Sequence, residues 1–225
     1  RLALLGLLSF EDYYRYLRFA PERSEEQQRM VSHLTNNETY FFREQPQLDV
    51  FSTHVLRAIK ERKARSGEKR LHALSAGCST GEEPLTLGMI LFDSGQFFWG
   101  WDVRVAGLDV DGAALEKARR GVYHQNALRA VTPPLLDRHF VKDGAGVRVR
   151  DASRKAVSFR AGNLLDPASY ASLAPLDVVF CRNVLIYFSD AAVQRAVSLF
   201  YEALAPGGYL FLGHAESLAR VSSAF

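Results

Sequence analysis

A chain of 225 residues can hold one large domain and a small appendage, and it buries ample core. Its 48% hydrophobic and 24% charged residues are ordinary for a soluble globular protein, and a net charge of +3 implies no nucleic-acid partner. No apolar run reaches membrane-spanning length, so no direct insertion into a membrane is expected. Cys78 and Cys181 are too few and too far apart for a disulfide framework or a zinc site, and are expected as free buried thiols in a cytoplasmic protein. The first residue is Arg rather than Met, as expected of a trimmed chain from which a targeting sequence could be gone.

Residues 1 to about 33 read as helical. Leu4, Leu5, Leu7 and Leu8 lead into Ser9-Phe10-Glu11-Asp12, a serine cap with acids in the first turn, and Pro21 stops the segment. Ser24-Glu25-Glu26-Gln27 has the form of a capping box for a further helix through Val31. The result is a small helical lobe whose aromatics are expected as core. Leu34 to Glu44 then crowds amides and hydroxyls before Tyr40-Phe41-Phe42-Arg43. Two readings stay open there: a helix cap, or a polar hook whose arginine reaches an anionic ligand group. Apolar residues from Leu48 to Ile59 recur at helical spacing, predicting a helix over Pro46 to Ala64. Its basic end reads as solvated and dipole-complementing rather than as a docking patch. A linker is expected near Ser66 to Lys69.

From Leu71 short apolar runs alternate with helical segments: strand 71–76, helix 82–93, strand 103–108, helix 111–120. Gly77 and Gly81 are four apart after the first strand, which matches neither the dinucleotide fingerprint nor a P-loop. Asp109 ends the second run, where a carboxylate suits a ribose diol. Val122 to Arg160 interrupts the rhythm, and its Val/Arg alternation after a glycine turn predicts a small antiparallel hairpin. The rhythm resumes at Val157, at Leu176 to Cys181, in a helix from Ala191 to Leu204 and in a strand Tyr209 to Gly213. Repeated βα units predict an α/β fold, a mostly parallel sheet with helices on both faces. Ligands of such sheets bind at the carboxyl ends of the strands, where Gly77, Asp109, Asn163 and Asn183 all fall.

These segments resemble the chemotaxis receptor glutamate O-methyltransferases, the CheR family, over almost the whole chain. The resemblance rests on Leu34 to Glu44, on Ser75-Ala76-Gly77-Cys78-Ser79-Thr80-Gly81-Glu82-Glu83-Pro84, and on Asp109 to Gly121. Asn163-Leu164-Leu165-Asp166 and Cys181-Arg182-Asn183-Val184-Leu185-Ile186-Tyr187-Phe188 complete it. It implies a Rossmann-like methyltransferase binding S-adenosylmethionine, with S-adenosylhomocysteine as product. It divides the chain into a helical lobe and linker helix, 1–66, and a cofactor-binding domain, 67–225, with a β insertion at about 122–160. In some members that insertion docks a receptor tail by strand addition. The family also has helices before Arg1 and a strand pair after Phe225.

Cofactor contacts implied by the resemblance are Asn37, Thr39 and Arg43, then Glu82, Asp109, Asn163, Leu164, Asn183 and Val184; Gly77 joins them as the turn where backbone can approach a ligand. Arg43 suits the amino-acid carboxylate and Asp109 the diol. Glu82 suits the ammonium unless it is only a helix N-terminal acid, and Asn163 with Leu164 suits adenine. Implied partners are the cytoplasmic domains of chemoreceptors. The nucleophile, a glutamate carboxylate, is already ionised, so no general base is expected. Arg43, Arg182 and Tyr187 are candidates to orient it, although Arg182 could be tied to the helical lobe and Tyr187 could be core. All six histidines, His54 and His214 included, read as structural. Two alternatives stand beside this reading: the same fold acting on another protein or small molecule, and a module that binds the cofactor and signals without turnover.

Overall fold

The computed structural model describes residues 1–34, 38–97 and 99–217. Among them five strands pair in parallel: β1 (Arg70–Ala76), β2 (Asp102–Asp109), β6 (Val157–Ala161), β7 (Leu176–Cys181) and β8 (Leu204–Leu212), in the order β6-β2-β1-β7-β8. β1 sits at the centre, with Leu74 opposite Ala106 on one side and Val179 on the other. Strand period two sends its side chains to opposite faces. Leu71 and Ala73 join one cluster with Phe51, Leu85, Val105 and Phe180; Leu74 and Ala76 join a second with Ala106, Val179, Val193 and Phe200. A strand buried on both faces reads as a near-continuous apolar run, and β7 is buried throughout with Asp177 its one charged residue.

The helices covering these faces are capped as their sequences demand. α6 (Glu82–Ser94) starts after Gly81 at φ 93° and stops at left-handed Gly95. α7 (Gly112–Arg120) is capped by Asp111, whose carboxylate accepts from Ala113 and Ala114 N–H, and ends at left-handed Gly121. α10 (Asp190–Ala203) is capped by Ser189 and buries Val193, Val197 and Phe200.

The N-terminal segment forms α1 (Leu2–Leu5), α2 (Phe10–Phe19) and α3 (Arg23–Leu34). Ser9 caps α2 as expected, accepting from Asp12 N–H. The aromatics are not core: Phe10 and Phe19 are 81% and 71% exposed, and α2 buries no residue. This lobe meets the main body mainly through α3 against α7, where the Ser32 hydroxyl donates to Asp111. Nor does Ser24 cap α3; the helix already begins at Arg23, and the Gln27 amide reaches the Leu17 carbonyl instead of forming a capping box.

The helix expected over Pro46 to Ala64 is three pieces on one axis: α4 (Gln45–Val50), a π-helical turn (Phe51–Val55) and α5 (Leu56–Ser66). Ser52 and Thr53 hydroxyls both donate to the Asp49 carbonyl at the start of that turn. Gly67, left-handed, ends α5 where the linker was predicted.

The interruption is a three-stranded antiparallel sheet, β3 (Val122–Tyr123), β4 (Phe140–Asp143) and β5 (Gly146–Val149), with α8 (Pro133–His139) and α9 (Asp151–Arg154). His139 is buried, its ring nitrogens 2.9 Å from Ser153 Oγ and 3.0 Å from Asp93 Oδ2, pinning α8 and α9 to α6. No sequence spacing announced this trio.

Candidate active site

The carboxyl ends of β1, β2, β6 and β7 share one crevice of about 390 Å³ with residues 38–43, a size within the usual range for small-molecule sites. Its floor is the turn after β1. Gly77 and Ser79 have φ of 77° and 48°, and Gly77 and Cys78 N–H both donate to the Leu108 carbonyl, fixing the turn against β2. A Cβ on Gly77 would lie 2.4 Å from Val184 Cγ2, so glycine lets two walls of the crevice touch.

Asp109, 9% exposed, accepts from Ser79 N–H at 2.7 Å on one oxygen and from Asp111 N–H at 2.9 Å on the other. Burial pushes its carboxyl above the ordinary aspartate range, the two N–H groups opposing that rise. A carboxylate offers about four acceptor sites, so the backbone N–H groups of Ser79, Val110 and Asp111 leave room for a further donor.

The opposite wall is the segment after β7. Asn183 is left-handed at φ 60°, and its Oδ1 is buried with no partner among the described residues. An unpaired buried acceptor in a cavity wall awaits a ligand donor. Arg182, 7% exposed, donates from Nε to Glu83 at 2.6 Å and from one terminal nitrogen to the Arg43 carbonyl at 2.8 Å. It thereby fixes a turn in which Phe42 and Glu44, on either side of Arg43, have φ of 57° and 59°. Arg43 itself faces the crevice, bracing on the Glu38 carbonyl and over the Tyr40 ring. Tyr40 carries a second cation, Arg129, 3.7 Å above its ring centre.

Nine predicted site residues line this hollow with Tyr187: Thr39, Arg43, Gly77, Asp109, Asn163, Leu164, Arg182, Asn183 and Val184. Asn37 lies outside the described residues. Glu82 does not line it: the side chain is buried, accepts from the Thr80 hydroxyl at 2.7 Å, and has its carboxyl pushed up by burial. The crevice is lined instead by Glu83, held by the Ser75 hydroxyl and Arg182. Successive helical residues point about 100° apart, so only the phase of α6 decides between them. Arg182 spends two of its donors on Glu83 and the Arg43 carbonyl, with Glu44 3.8 Å away, while still lining the crevice. Tyr187 is 62% exposed at the rim and so is not core. Asn163 Oδ1 is taken by Leu165 N–H within its own loop, while Leu164 is buried with its carbonyl held by the Tyr170 hydroxyl. His54 and His214 are exposed and away from the crevice; Cys78 and Cys181 are buried thiols whose pKa burial pushes up.

A nucleotide-type hollow at the strand ends of a parallel sheet defines the class, a Rossmann-like fold with a small-molecule crevice. Residues 37–225 match the family described as CheR methyltransferase, SAM binding domain. The chain is 38% identical to chemotaxis protein methyltransferase 2 of Vibrio cholerae over its whole length and 77% of that protein. It is also 38% identical to the Escherichia coli chemotaxis protein methyltransferase, covering all of this chain and 76% of that one. A further relative is the probable biofilm formation methyltransferase WspC of Pseudomonas aeruginosa, 36% identical over 96% of this chain and 50% of that protein. The chain belongs to the CheR methyltransferase family, and its cofactor is S-adenosylmethionine. The residues present fit that cofactor: a cationic amino acid joined to adenosine would find a buried carboxylate at Asp109, an amide oxygen at Asn183 with no described partner, and the Arg43 guanidinium. Among the described residues, no helix is long and apolar enough to cross a membrane.

Proposed function

We propose that this chain esterifies glutamate side chains on the cytoplasmic domains of chemoreceptors, working in the cytoplasm, with residues 1–66 as helical lobe and linker helix and 67–225 as catalytic domain. The observation that carries the reading is a crevice into which a fixed turn presents Arg43, a permanent cation. Such a site suits a nucleophile that arrives already ionised. A carboxylate does so at neutral pH; an alcohol or amine does not.

When bound, the cofactor supplies an electrophilic methyl on its sulfonium. Everything else falls to this chain. Asp109 accepts from the ribose hydroxyls, Asn183 Oδ1 from the ammonium, and Leu164 and Val184 give apolar contact. Arg43, presented by its rigid turn, binds carboxylate, and Tyr187 at the rim can donate to the incoming one. Catalysis then comes from alignment and from removing water around the acid. Thr39 and Asn163 supply the remaining polar rim.

The test is transfer of labelled methyl from the cofactor to a receptor cytoplasmic domain. Label released as methanol by mild base supports the ester; label fixed on an amine, alcohol or nucleobase overturns it. A second reading, modification of a signalling protein outside chemotaxis, is favoured by the likeness to WspC, and a panel of receptor domains separates the two.

A further inference from the structure

The crevice wall after β7 is held by a residue that lies outside it. The segment Asn183-Val184-Leu185-Ile186 leaves the sheet without a ladder partner, yet its N–H groups all point one way. Asn183 N–H donates to Glu216 Oε2 at 3.0 Å; Val184, Leu185 and Ile186 N–H donate to Glu216 Oε1 at 2.8, 2.7 and 3.3 Å. Gly213 N–H adds a fifth at 2.6 Å to Oε2. Gly213 is needed there: a Cβ would lie 2.7 Å from both Asn183 N and Glu216 Oε2. A carboxylate bound by five backbone donors is the internal counterpart of an anion in a nest. The clasp fixes Asn183 at φ 60°, a left-handed conformation that asparagine adopts more readily than other residues with a Cβ.

We infer that Glu216 is a positioning residue for the cofactor: its carboxylate sets the backbone of 183–186 so that Asn183 and Val184 form the crevice wall. Glu216 touches neither the cofactor crevice nor the reacting atoms. It acts through the loop. This rests on the reading of that crevice as the cofactor site.

Glu216→Gln tests it, because the amide nitrogen would face N–H groups and set donor against donor. Cofactor-product binding is measured by calorimetry on the wild type, Glu216→Gln and Gly213→Ala, alongside steady-state kinetics. The expected result is a rise of about tenfold or more in the product Kd and in KM for the cofactor, with KM for the methyl acceptor little changed. A merely structural role would instead lower the active fraction and kcat and leave KM alone; that result overturns the inference, as does unchanged product affinity. Added formate should partly restore affinity to Glu216→Ala. Should the variants fail to melt cooperatively, amide exchange on the wild type decides. Slow exchange at 183–186 and 213, slowed further by product, supports the clasp, and exchange as fast as in exposed loops overturns it. A wild type that binds no product refutes the cofactor reading itself, a distinct outcome.

Discussion

The two ends of the parallel sheet hold their buried carboxylates in opposite ways. At the amino end Asp177, fully buried, accepts from Lys63 at 2.8 and 2.9 Å, from Arg62 at 3.1 Å and from the His72 N–H. Two cations meet one anion, and α5 is fastened to β1 and β7. At the carboxyl end the described partners of Asp109 are neutral backbone N–H groups, and the same holds for Glu216. Dipoles orient a carboxylate without cancelling its charge. The amino end is a rivet; at the crevice Asp109 is oriented by dipoles rather than held by a cation.

Removing the rivet should cost most. Asp177→Ala leaves Lys63 buried with only the half-exposed Glu68 beside it at 3.3 Å, and unfolding in urea should show a loss of about 3–5 kcal/mol. Molecules that remain folded should bind cofactor product as the wild type does; a large loss of affinity would mean the two ends are not separable.

At the other end the effects should appear in binding. Gly77→Ala forces a left-handed alanine whose Cβ overlaps Val184, costing about 1–3 kcal/mol in stability and weakening product binding. Asp109→Ala should weaken product binding by about 1–3 kcal/mol with little change in the melt, because it also relieves a buried charge. Acidity sharpens this contrast. Burial raises the folded carboxyl above its unfolded value, so its contribution to stability falls as pH rises between the two, the reverse of a paired aspartate. Binding should fail on acidification at a pH above the ordinary aspartate range, and titration calorimetry should find that step gone in Asp109→Asn. Tyr123→Phe should be the mildest: losing the hydroxyl bond to the Thr80 carbonyl, 2.8 Å, costs about 0.5–1.5 kcal/mol by thermal melt.

What the sequence disclosed and what it hid follow the same physics. Strand ends were legible because a buried parallel strand must be an apolar run and must end in something polar or small; Gly77, Asp109 and Asn183 were found that way. The Glu82–Glu83 choice was hidden, since adjacent helical residues differ only in phase. Arg182 was visible as a charge in a motif, but its commitment to Glu83, 99 residues away, needed the fold. Glu216 was hidden for the same reason: its partners lie about thirty residues earlier. The exposure of α2 was misjudged because an amphipathic pattern says which face is apolar, not whether anything covers it. The π-helical turn was hidden because one wider turn leaves the apolar spacing of the segment nearly intact.

The antiparallel insertion has a consequence for anyone wishing to pare this enzyme down. Phe41, fully buried, stacks edge-on against Tyr123 and Phe140 at 4.8 and 5.1 Å, and its N–H donates to the Ala127 carbonyl. Excising 122–154 would therefore strip the neighbours of the very segment that presents Arg43, and would remove the Tyr123 hydroxyl that holds the Thr80 carbonyl of the glycine turn. A shortened scaffold would need a new aromatic bracket before it could hold any adenosyl donor.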